Sequence, residues 1–360
     1  CTYSGATLSS GGTLPALTLN VNVTSGTVWT NTATVSSGSD GDNDLTNSTA
    51  TYTWPANTTT VTTGSDPAAN TIGPSAAATD VDQFTMKTNT GTEPISSVTV
   101  NLSSALGIDT LAITDSSNNV LGSVSMPSSG SVTIPVIGMT VTTTLQTFKV
   151  RVTPLVHVSM PAPPGGTYTI TAPVTSWSGP AGHSGSDTNP NALTIDNQSP
   201  NAATATQAVP GNQRLVLSWT TSNSGDFATT GGSVIYRWAA SVAGSEVPIE
   251  GSSPLKGDVN GTATVACVVN SAASTALTRT DGAGGSSDCT TAALANGQDY
   301  TYVVFQKDSR GNYDTGTLLT KPTLSIASAA RTEGNSGQSN MGFAVTQSVA
   351  ANIATTVAYT

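Results

Sequence analysis

The chain has 360 residues and a formal net charge of −10, with 36% hydrophobic and only 9% charged residues. Its acidity excludes nucleic acid and anionic membrane surfaces as partners, since both need a positive stripe. No run reaches the ~18 apolar residues of a membrane helix, so no membrane insertion is expected in this segment. Long helices carry charges on their wet face, and soluble domains average roughly 25% charged residues. Thr and Val suit pleated strands, and Gly, Asn, Ser and Pro suit turns. The expected fold is therefore all-β, with immunoglobulin-like β-sandwich domains in tandem. At about 100–150 residues each, two to four domains are expected. Repeated apolar alternation argues against disorder.

Residues 1–54 contain "LPALTLNVNVT" and "VWTNTATVSS". Leu17, Leu19, Val21 and Val23 alternate with polar residues, the period-2 mark of a half-buried strand. An Asp/Asn-rich turn and a further alternating run follow. The stretch from Cys1 through "NTATVSSGSDGDNDLTNSTATYT" resembles the C-terminal half of a β-sandwich repeat common on bacterial surface proteins. Members often carry two cysteines close together, and the resemblance implies that Cys1 is the second of such a pair. Half a sandwich leaves open strand edges. It is expected to be completed by further sequence or by another copy through strand addition.

Residues 55–198 open with "TWPANTTTVTTGSDPAANTIGPSAAATDV", read as a linker. Strand candidates then recur at roughly 8–15-residue spacing, the rhythm of a sandwich. They are "DQFTMKT", "ISSVTVNLS", "TLAITD", "VLGSVSM", "SVTIPVI", "LQTFKVRVTP", "GTYTITAPVTSW" and "NALTIDN". "DSSNNVLGS" reads as a hairpin turn. The order around "TFKVRVTP" and "MPAPPGGTYTIT" resembles sandwich modules found between other domains of large bacterial surface proteins.

Residues 199–321 carry "QRLVLSWT", "VIYRWAA" and "LANGQDYTYVVFQKDSRGNYDTG". This segment resembles a fibronectin type III domain. The resemblance implies that Trp219 packs the core and that Tyr300 or Tyr302 bonds to backbone at the late corner. An enlarged middle, residues 244–292, holds Cys267 and Cys289, the candidate disulfide. A bridge across about 22 residues would contribute roughly 3 kcal/mol. Such usage suits an oxidising, extracellular setting.

Residues 322–360 include "RTEGNSGQSNMGFAVT" and "TTVAYT". They resemble the first part of a Calx-beta domain, and the family's later strands and acids are absent. The resemblance implies a calcium role for Glu333.

For chemistry, no cofactor is required, and calcium is the candidate cation. Asp40, Asp42 and Asp44 in "SDGDNDLTN" alternate oxygen ligands, although the Gly and Glu of an EF-hand are out of register. Asp80 and Asp82, with Asp109 and Asp115, form another acidic group, read as inter-domain turn residues. His157 alternates with apolar neighbours on an expected strand, and His183 lies in an expected polar loop. Adjacent Ser, His and Asp residues do not make a triad without convergent geometry. Trp177 and Trp238 are the candidates for a ligand-stacking surface, with Tyr236 and Trp238 expected on opposite faces of their strand.

The chain is accordingly read as a non-enzymatic structural segment of an extracellular bacterial surface or filament protein. Its expected partners are neighbouring modules or other copies of itself. An adhesin module for a glycan, protein or host surface is the alternative. Accessory domains of an extracellular hydrolase are a third reading.

Overall fold

The structure is a computed structural model that describes residues 29–34, 49–54, 57–225, 227, 231–332, 334, 336–338 and 340–348. Strands β1 (Trp29–Thr34) and β2 (Thr49–Trp54) pair antiparallel, with Trp29 opposite Trp54.

The first sandwich runs through β3 (Thr58–Thr63), β4 (Asn70–Ile72), β5 (Thr79–Thr88), β6 (Thr92–Pro94), β7 (Ser97–Leu102) and β8 (Ile108–Asp115). It continues through β9 (Val120–Ser125), β10 (Gly130–Pro135), β11 (Thr140–Thr142), β12 (Gln146–Pro154), β13 (Thr167–Ile170), β14 (Val174–Ser178), β15 (Gly182–Ser186) and β16 (Leu193–Asp196). A six-stranded sheet, ordered β15-β3-β5-β12-β8-β9, is accompanied by a three-stranded sheet, β10-β7-β14. On β12, Phe148, Val150 and Val152 point inward while Lys149 and Arg151 point outward, as period 2 requires. These residues share one core with Phe84, Leu111 and Ile113 from the same sheet and with Val98, Val100, Ile134 and Trp177 from the other. In the β8–β9 hairpin, the Asp115 carboxylate accepts the N–H groups of Ser117 and Asn119, an Asx turn.

Two features of this sandwich differ from the sequence expectation. The stretch read as a linker supplies β3 and β4, and β3 is an inner strand of the main sheet. It lacks apolar alternation because it buries a hydroxyl: Thr59 is fully buried and donates to the Glu93 carboxylate. Asp80 and Asp82 accordingly lie within β5 rather than in a turn. His157 lies in a short 3-10 turn, not a strand. Pro154, which has no N–H to donate, is the last residue of β12.

The second sandwich comprises β17 (Thr204–Gly211), β18 (Arg214–Thr220), β19 (Gly232–Trp238), β20 (Val259–Asn260), β21 (Ala263–Asn270), β22 (Ala276–Gly282), β23 (Thr301–Lys307) and β24 (Thr317–Leu318). A three-stranded sheet, β17-β18-β22, faces a five-stranded sheet, β20-β21-β19-β23-β24. Between them lie Leu215, Leu217, Trp219, Ile235, Tyr302 and Val304. The outer face of the larger sheet is buried too, forming a second core around Tyr236, Trp238, Val265 and Phe305. Tyr236 and Trp238 therefore share one face, which corrects the expectation of opposite faces. Residues two apart on a strand point the same way.

The enlarged middle does not hang outside the sandwich. Its first part folds over the outer face of the five-stranded sheet, where Glu246 accepts from the indole of Trp238 at 2.8 Å. Its second part supplies β21 to one sheet and β22 to the other. Strands β25 (Leu324–Ile326) and β26 (Val345–Gln347) pair near the end of the described chain.

Hydroxyl pairs across neighbouring strands account for the Thr/Ser-rich composition. Examples are Thr60–Ser184, Thr62–Thr85, Thr99–Thr133 and Ser218–Thr278. Each such cross-strand pair contributes roughly 0.2–1 kcal/mol.

Candidate functional site

The second sandwich is organised around buried polar groups and a disulfide. Cys267, on β21, is bonded to Cys289, which bridges it antiparallel; both are fully buried beside Trp219. The Trp219 indole N–H donates to Ser233 Oγ at 2.9 Å, and Gln306 Nε2 donates to the same oxygen at 3.0 Å. Tyr300 Oη accepts the Ala295 backbone N–H at 3.0 Å, five residues upstream. Tyr302 instead donates from the core to Asp281 Oδ2 at 2.8 Å. Asp281 is fully buried, and Arg237 Nη1 reaches the same oxygen at 2.7 Å while Thr290 donates to its other oxygen. Burial, and then the adjacent Asp281, push the Tyr302 hydroxyl far above its ordinary pKa.

The two sandwiches meet through specific contacts. Asn312, itself buried, donates from Nδ2 to the Asp196 carbonyl at 3.1 Å. It is held by Asp308, which accepts the N–H groups of Arg310 and Asn312. The His157 ring lies against Gly251 and Gly311, both at positive φ (76° and 95°). A Cβ on Gly251 would sit 2.3 Å from His157 Cδ2, so this approach requires glycine. Burial lowers the pKa of His157.

A third arrangement lies at one end of the six-stranded sheet. The parallel strands β3 and β15 end there, and β5 runs back beside β3. This brings together Asp66, just past β3, Asp82 on β5, and Asp187 and Asn189, just past β15. Asp82 is 0% exposed, and neither of its oxygens has a hydrogen-bond partner. Asp66 Oδ1, Asp187 Oδ1 and Asn189 Oδ1 are likewise buried atoms without partners. Two hydrogen bonds orient the rim: Val174 N–H donates to Asp187 Oδ2 at 2.8 Å, and Asn189 Nδ2 donates to the Val81 carbonyl at 2.7 Å. The nearby cations do not neutralise the group, because Lys149 and Arg151 are engaged with Asp80 at 3.0 and 2.7 Å. Burial, then the charge of Asp187 and carboxyl–carboxyl hydrogen bonding with Asp187 and Asp66, push Asp82 up to about 9, and burial raises Asp187. Among the described residues, no three His, Cys, Asp or Glu side chains lie so that they could hold a metal ion.

The calcium candidates Asp40, Asp42, Asp44 and Glu333 lie outside the described residues. Asp109 bonds to its neighbour Thr110, and Asp115 caps its hairpin, so neither joins Asp82. His183 is on β15 rather than in a loop, with its ring 4.4 Å from that of Trp177. Trp177 and Trp238 are 7% and 2% exposed, too buried to form a stacking surface. The Asp66–Asp82–Asp187 group was missed as a unit because Asp187 lies more than 100 residues from Asp66 and Asp82. The only local signal was an acidic residue at an inward strand position.

No protein-family model matches the chain, and no curated protein matches it. Among solved structures, it is similar to the FN1–FN3 domains of chicken CNTN1, at 12% identity and TM-score 0.25, covering 69% of this chain and 66% of that one. It is also similar to the BSP domain of a biofilm-associated protein, at 12% identity and TM-score 0.18, covering 72% of this chain and 30% of that one. The all-β sandwich assignment rests on the chain's own strand order.

Proposed function

We propose that the chain is a non-enzymatic structural segment of an extracellular surface protein, in which the two sandwiches act as one stiff spacer. The junction carries this reading. Asn312 bonds across it to Asp196, and His157 fills a space that glycine at position 251 leaves open. Linked domains default to relative motion unless their interface is large and hydrophobic; here a buried amide hydrogen bond and a close imidazole–glycine approach take that role. The buried disulfide and the hydroxyl-paired sheets suit an oxidising, protease-exposed setting. On this reading its partners are neighbouring modules or other copies of the chain.

Negative-stain electron microscopy with particle classification tests the idea. Wild-type particles are expected to hold the two sandwiches at one angle, and Gly251→Val is expected to broaden that angle. A broad distribution in the wild type refutes the stiff spacer.

A further inference from the structure

We propose that His157 is a pH-sensitive latch at the junction, seating the two sandwiches on each other while its ring is neutral and releasing them when the ring is protonated. Such a latch rests on the stiff-spacer reading and adds the condition under which the spacer bends. The turn that carries His157 belongs to the first sandwich, where the His157 backbone N–H donates to Ser75 Oγ at 3.3 Å. The socket belongs to the second sandwich. Its two glycines come from separate segments, joined by a hydrogen bond from the Gly251 N–H to the Gly311 carbonyl at 3.0 Å. A Cβ on Gly251 would sit 2.3 Å from His157 Cδ2, and one on Gly311 would sit 3.4 Å from Nε2, so the ring fills the space beside both. His157 Nδ1 is a buried atom with no hydrogen-bond partner. A neutral imidazole tolerates this, because one of its nitrogens carries no proton. An imidazolium carries N–H on both nitrogens, so Nδ1–H would become a buried donor with no acceptor.

The surrounding charges favour release in acid. On the second sandwich, the charged groups of the segments packed against the ring are Glu250, next to Gly251, and Lys307, Asp308 and Arg310, leading to Gly311. On the first, Asp196 lies at the junction through its carbonyl bond to Asn312. Glu250 accepts the Tyr313 N–H at 3.0 Å, and Asp308 accepts the N–H groups of Arg310 and Asn312, so neither carboxylate is the partner of Nδ1. Lys307 Nζ donates to the Ser252 carbonyl at 2.6 Å, which keeps a positive charge beside the socket. Burial and the Lys307 charge lower the pKa of His157, against a backbone hydrogen bond to Arg310 that raises it. Burial holds Glu250 at about 7 and Asp308 at about 6, so both lose their charge as the ring gains one, while Lys307 and Arg310 keep theirs. A base whose pKa is lower when seated than when released holds the junction fully above its ordinary 6.5. Its grip falls below that pH, by at most about tenfold per pH unit for one proton.

The test is double electron–electron resonance on the full chain between pH 8 and pH 5. Nitroxides on Ser131→Cys and Ser241→Cys, both exposed, report on the first and second sandwich, in a Cys1→Ser, His183→Gln background. With His183 replaced, the imidazole resonances in proton NMR belong to His157 alone. Melting temperature is not the readout, because the buried carboxyls stabilise the fold in acid. A narrow distance distribution is expected at pH 8 and a broad one at pH 5, with the broadening and the His157 resonance sharing one midpoint below pH 6.5. His157→Phe, which fills the socket and takes no proton, should stay narrow throughout. A distribution that is narrow at both pH values overturns the latch and leaves the stiff spacer standing. One that is broad at pH 8 removes the spacer and the latch with it. Acid broadening that persists in His157→Phe overturns the latch and assigns the effect to the carboxyls. If His157→Phe is already broad at pH 8, the two midpoints of the parent decide: coincidence upholds the latch, and separation by more than about one pH unit overturns it.

Discussion

Replacing Arg237 by Met isolates the buried charge in the second sandwich. Asp281 is fully buried, and its Oδ2 is shared by Arg237 at 2.7 Å and Tyr302 at 2.8 Å. Removing one partner of a buried pair typically costs about 3–5 kcal/mol, because the remaining charge is left uncompensated. Tyr302 and Thr290 still donate to Asp281 in the variant, so the lower end, about 3 kcal/mol, is expected. For a domain of this size, that loss lowers the melting temperature by roughly 12–20 °C. Asp281→Asn in the same background removes the stranded charge and should restore about 2 kcal/mol of coupling. Urea unfolding followed by tryptophan fluorescence reads the transition through Trp219 and Trp238, both in this sandwich. A loss under ~1 kcal/mol, or additivity of the two substitutions within ~0.5 kcal/mol, would refute the claim that this pair is electrostatically buried.

Replacing both Cys267 and Cys289 by Ala reopens a 22-residue connection and should cost about 3 kcal/mol on the chain-entropy account. Chemical unfolding of the second sandwich checks this, and an unchanged midpoint would contradict it. In EDTA, stability should be greatest near pH 4–5 and fall toward pH 9. Burial, as the leading cause, holds Asp308 at about 6, Asp314 and Glu250 at about 7, and Asp82 at about 9. A carboxyl raised on folding contributes stability that is intact below its unfolded pKa and is lost as pH rises through the folded one. Glu246 acts in the opposite sense: Thr262 and Trp238 donate to it and hold it at about 2, so its contribution fades as pH falls below about 4. Melting temperatures that climb steadily from pH 5 to pH 9 would contradict this sign.

The sequence by itself determined the all-β character, because scarce charge and period-2 alternation leave no amphipathic helix to build. "QTFKVRVTP" and "RLVLSWT" read as half-buried strands and are half-buried strands, since each strand's pattern is local. The "LANGQDYTY" motif placed Tyr300 and Tyr302, but only the packed structure separated their roles. One hydroxyl is held by a backbone N–H at the corner, the other by a carboxylate in the core. Strand β3 escaped the sequence reading because its inward Thr59 is satisfied by Glu93, 34 residues away. Only the tertiary structure showed that the stretch from 244 to 292 is part cover and part core. A strand's sheet is chosen by long-range pairing, which leaves no local period. The acidic group needed the same long-range information. Asp82 sits in an ordinary strand, and its burial against Asp66 and Asp187 follows from β3 and β15 running parallel to the same end of the sheet.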